Sequence, residues 1–253
     1  MRAYYWCGDH NDIHNWGDSL SPILLDHFAG ITAEWSTPPD AQIVSTGSVL
    51  DVIPDGWHGI VAGSGKLKRE TQTDLTNAKV LGLRGPLTAH DVRYTGTPVL
   101  GDPALLASEL THVTPNLYDL GIIPHWNDPT LCDRFAYLGE QYNVVNIDPK
   151  ADPLEVISTI GSCRKIVSSS LHGLIVADAF GIPRRAEKPP GMGSVCVCGN
   201  MHEGDSFKFE DHNATVGLPM EWHNVQTADQ AVVEKIQYDL FNMFTELSRY
   251  VSA

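Results

Sequence analysis

Lys165-Ile166-Val167-Ser168-Ser169-Ser170-Leu171-His172-Gly173-Leu174-Ile175-Val176-Ala177-Asp178-Ala179-Phe180-Gly181-Ile182-Pro183 decides how this chain folds. Lys165–Ser168 is short, apolar and β-branched, and polar residues do not alternate through it. That is the pattern of a strand covered on both faces, as in a parallel sheet. Three serines follow, then a helical run from Leu171 to Phe180. Ser170 stands where an N-cap belongs, so the N–H groups of Leu171, His172 and Gly173 point out of the helix start. With the positive end of the helix dipole, they form a place for a phosphate or carboxylate. His172 in the first turn could touch the anion or pass a proton, and Gly173 permits close approach.

The same strand–turn–helix unit recurs on either side. Strands are expected at Ala3–Trp6, Gln42–Ser45, Gly59–Ala62, Val80–Leu83, Tyr118–Ile123, Tyr142–Ile147 and Ile182–Arg185. Helical spacing marks Ser19–Ala29. Asp152-Pro153-Leu154-Glu155 opens another helix with an acid cap, proline at the first position and glutamate at the third. Thr227-Ala228-Asp229-Gln230 resembles a capping box before a long amphipathic helix carrying Val232, Val233, Ile236, Leu240, Phe244 and Leu247. The best boundary lies near Ala107–Pro115. Two parallel, Rossmann-like α/β domains are expected, 1–110 and 111–253, with the terminal helix packing back on the first. In such folds ligands lie beyond the carboxyl ends of strands.

Composition narrows the partners. The 253 residues carry 31 acids against 17 bases, a formal charge of -14. That balance argues against binding nucleic acid, which needs a basic face. Any anion site must be assembled locally. The five cysteines, Cys7, Cys132, Cys163, Cys196 and Cys198, are odd in number and scattered. They argue against a disulfide scaffold and for a reducing cytoplasm. No signal peptide and no span of about 20 apolar residues is evident.

Chemistry is sought in the turns after strands. Leu81-Gly82-Leu83-Arg84-Gly85-Pro86 puts Arg84 at a strand end, where a guanidinium could grip phosphate or carboxylate; a salt bridge across the domain joint is the alternative. Asn15-Trp16-Gly17-Asp18 opens the first helix, so Asp18 could cap it, bind a sugar hydroxyl or act as a base. Ile123-Pro124-His125-Trp126 places His125 at the crevice and Trp126 where it could stack on a sugar. Gly63-Ser64-Gly65-Lys66 fails the phosphate-loop pattern, with Ile60 and Leu67 at positions that need other residues, and reads as a flexible, mildly basic loop. Phe207-Lys208-Phe209 reads as a late loop with Lys208 facing the crevice. Cys196-Val197-Cys198 near His202 lacks zinc spacing, and no metal is expected.

Taken in order, these stretches resemble the polysaccharide pyruvyl transferase family: Asn15-Trp16-Gly17-Asp18, Gly63-Ser64-Gly65, Arg84-Gly85-Pro86, Gly101-Asp102-Pro103-Ala104-Leu105-Leu106, Ile123-Pro124-His125, Ser168–Gly173 and Phe207-Lys208-Phe209. The resemblance spans about residues 4 to 215 and is strongest to the exopolysaccharide or succinoglycan branch. It implies a GT-B-like fold, two Rossmann-like domains facing each other across a cleft. It implies a phosphoenolpyruvate donor and a sugar or oligosaccharide acceptor that receives a pyruvate ketal, with no cofactor and no metal. It assigns the donor to Arg84, Ser168, Ser169, Ser170, Leu171, His172, Gly173 and Lys208, and the acceptor to Asn15, Asp18, His125 and Trp126. His172, Asp18 and Arg84 become the catalytic candidates, His172 as acid or phosphate stabiliser and Asp18 as acceptor orienter or base. On this reading His172→Ala and Arg84→Ala each lose most activity and keep the fold. A nucleotide-sugar glycosyltransferase of the same fold, or a non-catalytic sugar- or anion-binding relative, remains the alternative. Transient docking at a membrane is compatible with all three.

Overall fold

A computed structural model of the chain describes residues 1–7, 15–69, 72–189 and 206–252. The first half contains β1 (Arg2–Ala3), α1 (Leu20–Ala29), β2 (Glu34–Trp35), β3 (Ile43–Val44), β4 (Ile60–Ala62), β5 (Thr73–Asp74), β6 (Lys79–Leu83), α2 (Pro86–Asp91), β7 (Val92–Arg93) and β8 (Val99–Leu100). A 3₁₀ turn over Pro103–Glu109 leads into the second half. There follow β9 (Leu120–Ile123), α3 (Leu131–Phe135), β10 (Val144–Asn146), α4 (Pro153–Gly161), β11 (Ile166–Ser168), α5 (Leu171–Ala179), β12 (Arg184–Ala186), α6 (Phe207–Thr215), β13 (Val225–Gln226) and α7 (Gln230–Ser252).

The chain is α/β with two larger, mainly parallel sheets and a two-stranded parallel pair, β5-β7. One runs β2-β1-β3-β4-β6-β8, and the other β10-β9-β11-β12-β13. Every pairing in the first is parallel. In the second only β13 is antiparallel, on β12. Both have the doubly wound order in which the direction of strand addition reverses beside the first strand, as in flavodoxin-type sheets. The crevices therefore open beyond the carboxyl ends of β1 and β3, and of β9 and β11. The residues that follow those four strands are the Asn15–Asp18 stretch, Ser45–Ser48, Pro124–Trp126 and Ser169–Gly173.

The strands form where apolar β-branched runs occur. Ile43, Val44, Val61, Ile122 and Ile123 are fully buried. Asp152 caps α4 as its sequence requires, accepting the N–H groups of Leu154 and Glu155 at 2.9 and 3.2 Å. α7 turns back onto the first half. Met243 lies under Gly82, Ile236 and Leu240 under Gly101, and Phe244 stacks on Phe28 at 5.7 Å. The largest apolar core is continuous through α1, the Ala104–Ala107 turn, α4, α5 and α7.

Three local expectations need correction. Phe207-Lys208-Phe209 opens α6 and is not a loop, because Phe207 and Phe209 are both buried and anchor its first turn. α7 starts one residue after Asp229, whose carboxylate accepts the Ala231 N–H at 2.9 Å, so Asp229 and not Thr227 is the cap. Gly63-Ser64-Gly65-Lys66 is not a flexible surface loop: Ser64 and Lys66 are fully buried, and Lys66 pairs with Asp91 at 3.3 Å. Cys196-Val197-Cys198 and His202 lie outside the described residues. Among the described residues, Cys132 and Cys163 are free thiols. Among them too, no helix is long and apolar enough to cross a membrane.

Candidate active site in the crevice between the halves

The second half contributes the turn from β11 into α5. Ser168 and Ser169 are spent on building it. The Ser168 hydroxyl accepts the Ser170 N–H at 2.9 Å and lies 2.9 Å from the carbonyl oxygens of Ile123 and Ser170. Ser169 Oγ donates to Asp128 Oδ2 at 2.7 Å and accepts the His125 N–H at 2.9 Å, fixing the turn after β9. Ser170 has the extended backbone of an N-cap, but its hydroxyl makes no capping bond. The first-turn N–H groups of α5 are therefore not consumed by their own cap. Gly173 is required because a Cβ would strike Ser168 and Ile123.

The first half contributes Asn15–Asp18 and the β3 turn. Asp18 does not cap α1: Ser19 holds the cap position, and the Asp18 carboxylate accepts from Asn15 Nδ2. Its other oxygen lies against Gly47, whose φ of 102° and lack of a side chain make room for it. Gly17 does the same for His172, since a Cβ there would overlap the imidazole ring. The two glycines thus make room for an acid of the first half and a histidine of the second. Burial raises the Asp18 pKa to about 7; Lys208 and Arg84 pull it down and Asp102 pushes it up. Burial lowers the His172 pKa to about 4; Asp102 opposes this, while Lys208, Arg84 and His212 add to it. At neutral pH the unliganded site holds a neutral imidazole and a carboxyl that exchanges its proton readily.

Arg84 lies at the end of β6, as its sequence position demands, but its guanidinium is fully buried. Nε donates to Asp211 at 3.0 Å, Nη1 to Ser48 and Nη2 to the Lys66 carbonyl. Asp211 comes from α6 and also accepts the N–H groups of Leu87 and Thr88 at 2.9 Å and the Thr88 hydroxyl at 2.6 Å. It caps α2 from another helix. Gly85 allows this, because a Cβ would meet Asp211 and Thr215. Arg84 thus forms the salt bridge across the joint while its charge still acts on Asp18 and His172. Lys208, one turn before Asp211 on α6, acts on Asp18, His172 and His125.

His125 and Trp126 line the rim after β9. Burial and the nearby Lys208 hold the His125 pKa well below the usual histidine range, and its Nδ1 bonds to Asn127. Trp126 stacks on Trp6 from the first half, centroids 5.1 Å apart and 30° between planes. Asp18, Arg84, His172 and Lys208 therefore converge, with Asn15 bonded to Asp18, while Trp126 sits at the edge.

Sequence reasoning gave no role to Asp102, Asp128 or Asp211. Asp102 is fully buried after β8, held by the Thr46 hydroxyl and by the Ala104 N–H at 3.0 Å. Its signal was present, a Gly-Asp-Pro turn at a strand end, but it is indistinguishable there from a simple cap. Asp211 gives no local signal, because its partners are more than a hundred residues away. No group of three His, Cys, Asp or Glu side chains that could hold a metal occurs among the described residues.

The family model for polysaccharide pyruvyl transferase matches residues 58–186, which contain Arg84, Asp102, His125 and the Ser168–Gly173 turn. The chain is 31% identical over 246 residues to the succinoglycan biosynthesis protein ExoV of Rhizobium meliloti (strain 1021), an alignment covering 91% of this chain and 70% of that protein. It is also 32% identical over 123 residues to the uncharacterized protein L143 of Acanthamoeba polyphaga mimivirus, covering 47% of this chain and 40% of that protein. On the extent of the family match and of the first of these relatives, the chain belongs to the polysaccharide pyruvyl transferase family, enzymes that move pyruvyl groups onto polysaccharides.

Proposed function

We propose that the crevice takes phosphoenolpyruvate as donor and a sugar of a growing glycan as acceptor, the two halves closing on them in the manner of a GT-B enzyme. The observation that carries this is the meeting of Asp18, His172 and Lys208 at the bottom of the crevice, beside the uncapped start of α5. A small donor carrying a phosphate and a carboxylate is suited by a cation and a helix N-terminus, here Lys208 and the start of α5. Lys208 and the first turn of α5 hold its phosphate and carboxylate, and Arg84 adds positive field from below. Asn15, His125 and Trp126 face the acceptor, with Trp126 offering its ring to the sugar.

The reaction joins two acceptor oxygens to C2 of the donor and breaks its C2–O bond to phosphate. The methylene C3 gains a hydrogen and becomes methyl. Of the two protons lost by the hydroxyls, one is matched by that gain and the other leaves with phosphate. Asp18, with a pKa of about 7, is matched to taking a hydroxyl proton near neutrality. His172 is neutral without ligand. Arrival of the donor's negative charges raises its proton affinity and makes it the acid at C3. We assign the reaction no metal, since an enol phosphate is already an activated leaving arrangement. We place the enzyme in the cytoplasm, on the odd number and scattered positions of its five cysteines.

Thermal-shift titration with phosphoenolpyruvate, UDP-sugars and CMP-sugars tests the donor. A ligand at about 100 times its Kd stabilises by about 2.7 kcal/mol. A shift with phosphoenolpyruvate that Lys208→Ala abolishes is expected. A shift with a nucleotide sugar alone would overturn the donor assignment and favour a glycosyltransferase.

A further inference from the structure

Among the described residues, four buried side-chain atoms have no hydrogen-bond partner: Trp16 Nε1, Asp102 Oδ2, His172 Nε2 and His212 Nδ1. Three of them belong to one neighbourhood. Trp16 meets His172 edge to face, with ring centroids 6.2 Å apart. The Pro103–Glu109 turn that Asp102 begins packs along α5, which begins with His172. Burying a polar atom without a partner is costly, and such atoms cluster where a ligand or proton is handled. Capping the Pro103–Glu109 turn needs only Oδ1, which receives Ala104 N–H and the Thr46 hydroxyl. Nothing in that structural role explains why Oδ2 is buried without a hydrogen-bond partner.

We propose that Asp102 is the positioning residue of His172: its open Oδ2 accepts the Nε2–H of the imidazole, directly or through one water shared with Trp16 Nε1–H. This fixes the tautomer that carries its proton on Nε2 and leaves Nδ1, the atom against Gly17, as the proton-accepting nitrogen. Thr46 and Ala104 hold the carboxylate so that it cannot turn away. Asp102 is also the charge that most strongly favours the imidazolium, against Lys208, Arg84 and His212 on the other side and with His125 nearby. Asp18 feels the same carboxylate, so one buried group biases both titrating partners in the same direction, toward holding protons.

This rests on the proton-transfer role given to His172 above, and the test does not depend on turnover. Imidazole ¹⁵N shifts report the tautomer of each histidine at pH 7.5, and loss of a signal in His172→Asn assigns His172 among the 11 histidines. Wild type is expected to show the Nε2–H form. Asp102→Asn keeps an oxygen for Ala104 and Thr46 but turns an N–H₂ toward the ring. The tautomer should switch to Nδ1–H. Should that variant fail to fold, Asp102→Ser keeps the cap, is too short to reach the imidazole, and should give a mixture. An Nδ1–H form in the wild type, or an unchanged Nε2–H form in either folded variant, overturns the proposal, and does so whatever the donor proves to be.

Discussion

His172 and Asp18 move stability with pH in opposite senses. The folded pKa of Asp18, about 7, lies above its unfolded value, so the fold binds a proton that the unfolded chain has released. Stability on this account falls as pH rises from about 4 to about 7. Asp18→Asn removes the penalty and should raise stability at pH 8 by up to about 4 kcal/mol while activity is lost, read by denaturant melts at pH 5 and pH 8. The folded pKa of His172, about 4, is below the unfolded one, so its share of stability is lost as pH falls from about 6.5 to about 4. His172→Ala should cost about 10²–10⁴ in rate and leave the melt at pH 7 little changed. Gly17→Ala makes a stricter test of the same site. Its methyl group needs the space of the imidazole, so activity should collapse although neither Asp18 nor His172 has been altered. The serine run and His172 could be read from sequence because a short apolar strand, a cap position and a helix start follow one another there without a break. The pairing of Gly17 with His172 could not, because it joins residues 155 positions apart.

At the scale of elements, α6 holds the crevice together. Its Asp211 caps α2 and pairs with Arg84, while the next residue, His212, bonds to Asp178 of α5 at 2.9 Å. Asp178 in turn takes Arg184 in two bonds of 3.1 Å. Removing one partner of a fully buried ion pair leaves an uncompensated charge and costs about 3–5 kcal/mol. Arg84→Ala should therefore lower the Tm sharply as well as the activity, where its sequence position alone led to the expectation of an intact fold. Lys208→Ala, one turn away on the same helix, should keep the Tm and lose the donor-induced shift. Comparing the two melts separates support from binding. Each of the eight strands expected from apolar runs has a counterpart, although the first, expected at Ala3–Trp6, is observed at Arg2–Ala3. The ones not foreseen, such as β2, β8 and β13, are two-residue pairings at or near sheet edges, too short to carry a period.

At the scale of the whole molecule, α7 closes the first half although it is made of the last residues described. Val233, Ile236, Leu240, Met243, Phe244 and Leu247 are all buried on its inner face. Each such side chain contributes about 1.5–3 kcal/mol, so together they match or exceed the 5–15 kcal/mol that holds a typical domain folded. Ending the chain after Ala228 should give an insoluble or molten protein. Lys79→Ala, which breaks an exposed 3.4 Å pair with Glu246 and a 6.0 Å approach to the exposed Tyr250 ring, should change the Tm by little. The amphipathic pattern of α7 was legible in the sequence, but the surface it covers was not, because periodicity gives a face and no address. The return of α7 also sets an order of events during synthesis. The sheet translated first waits with Gly82 and Gly101 uncovered until α7 has left the ribosome, and through that interval its apolar face is open to wrong partners.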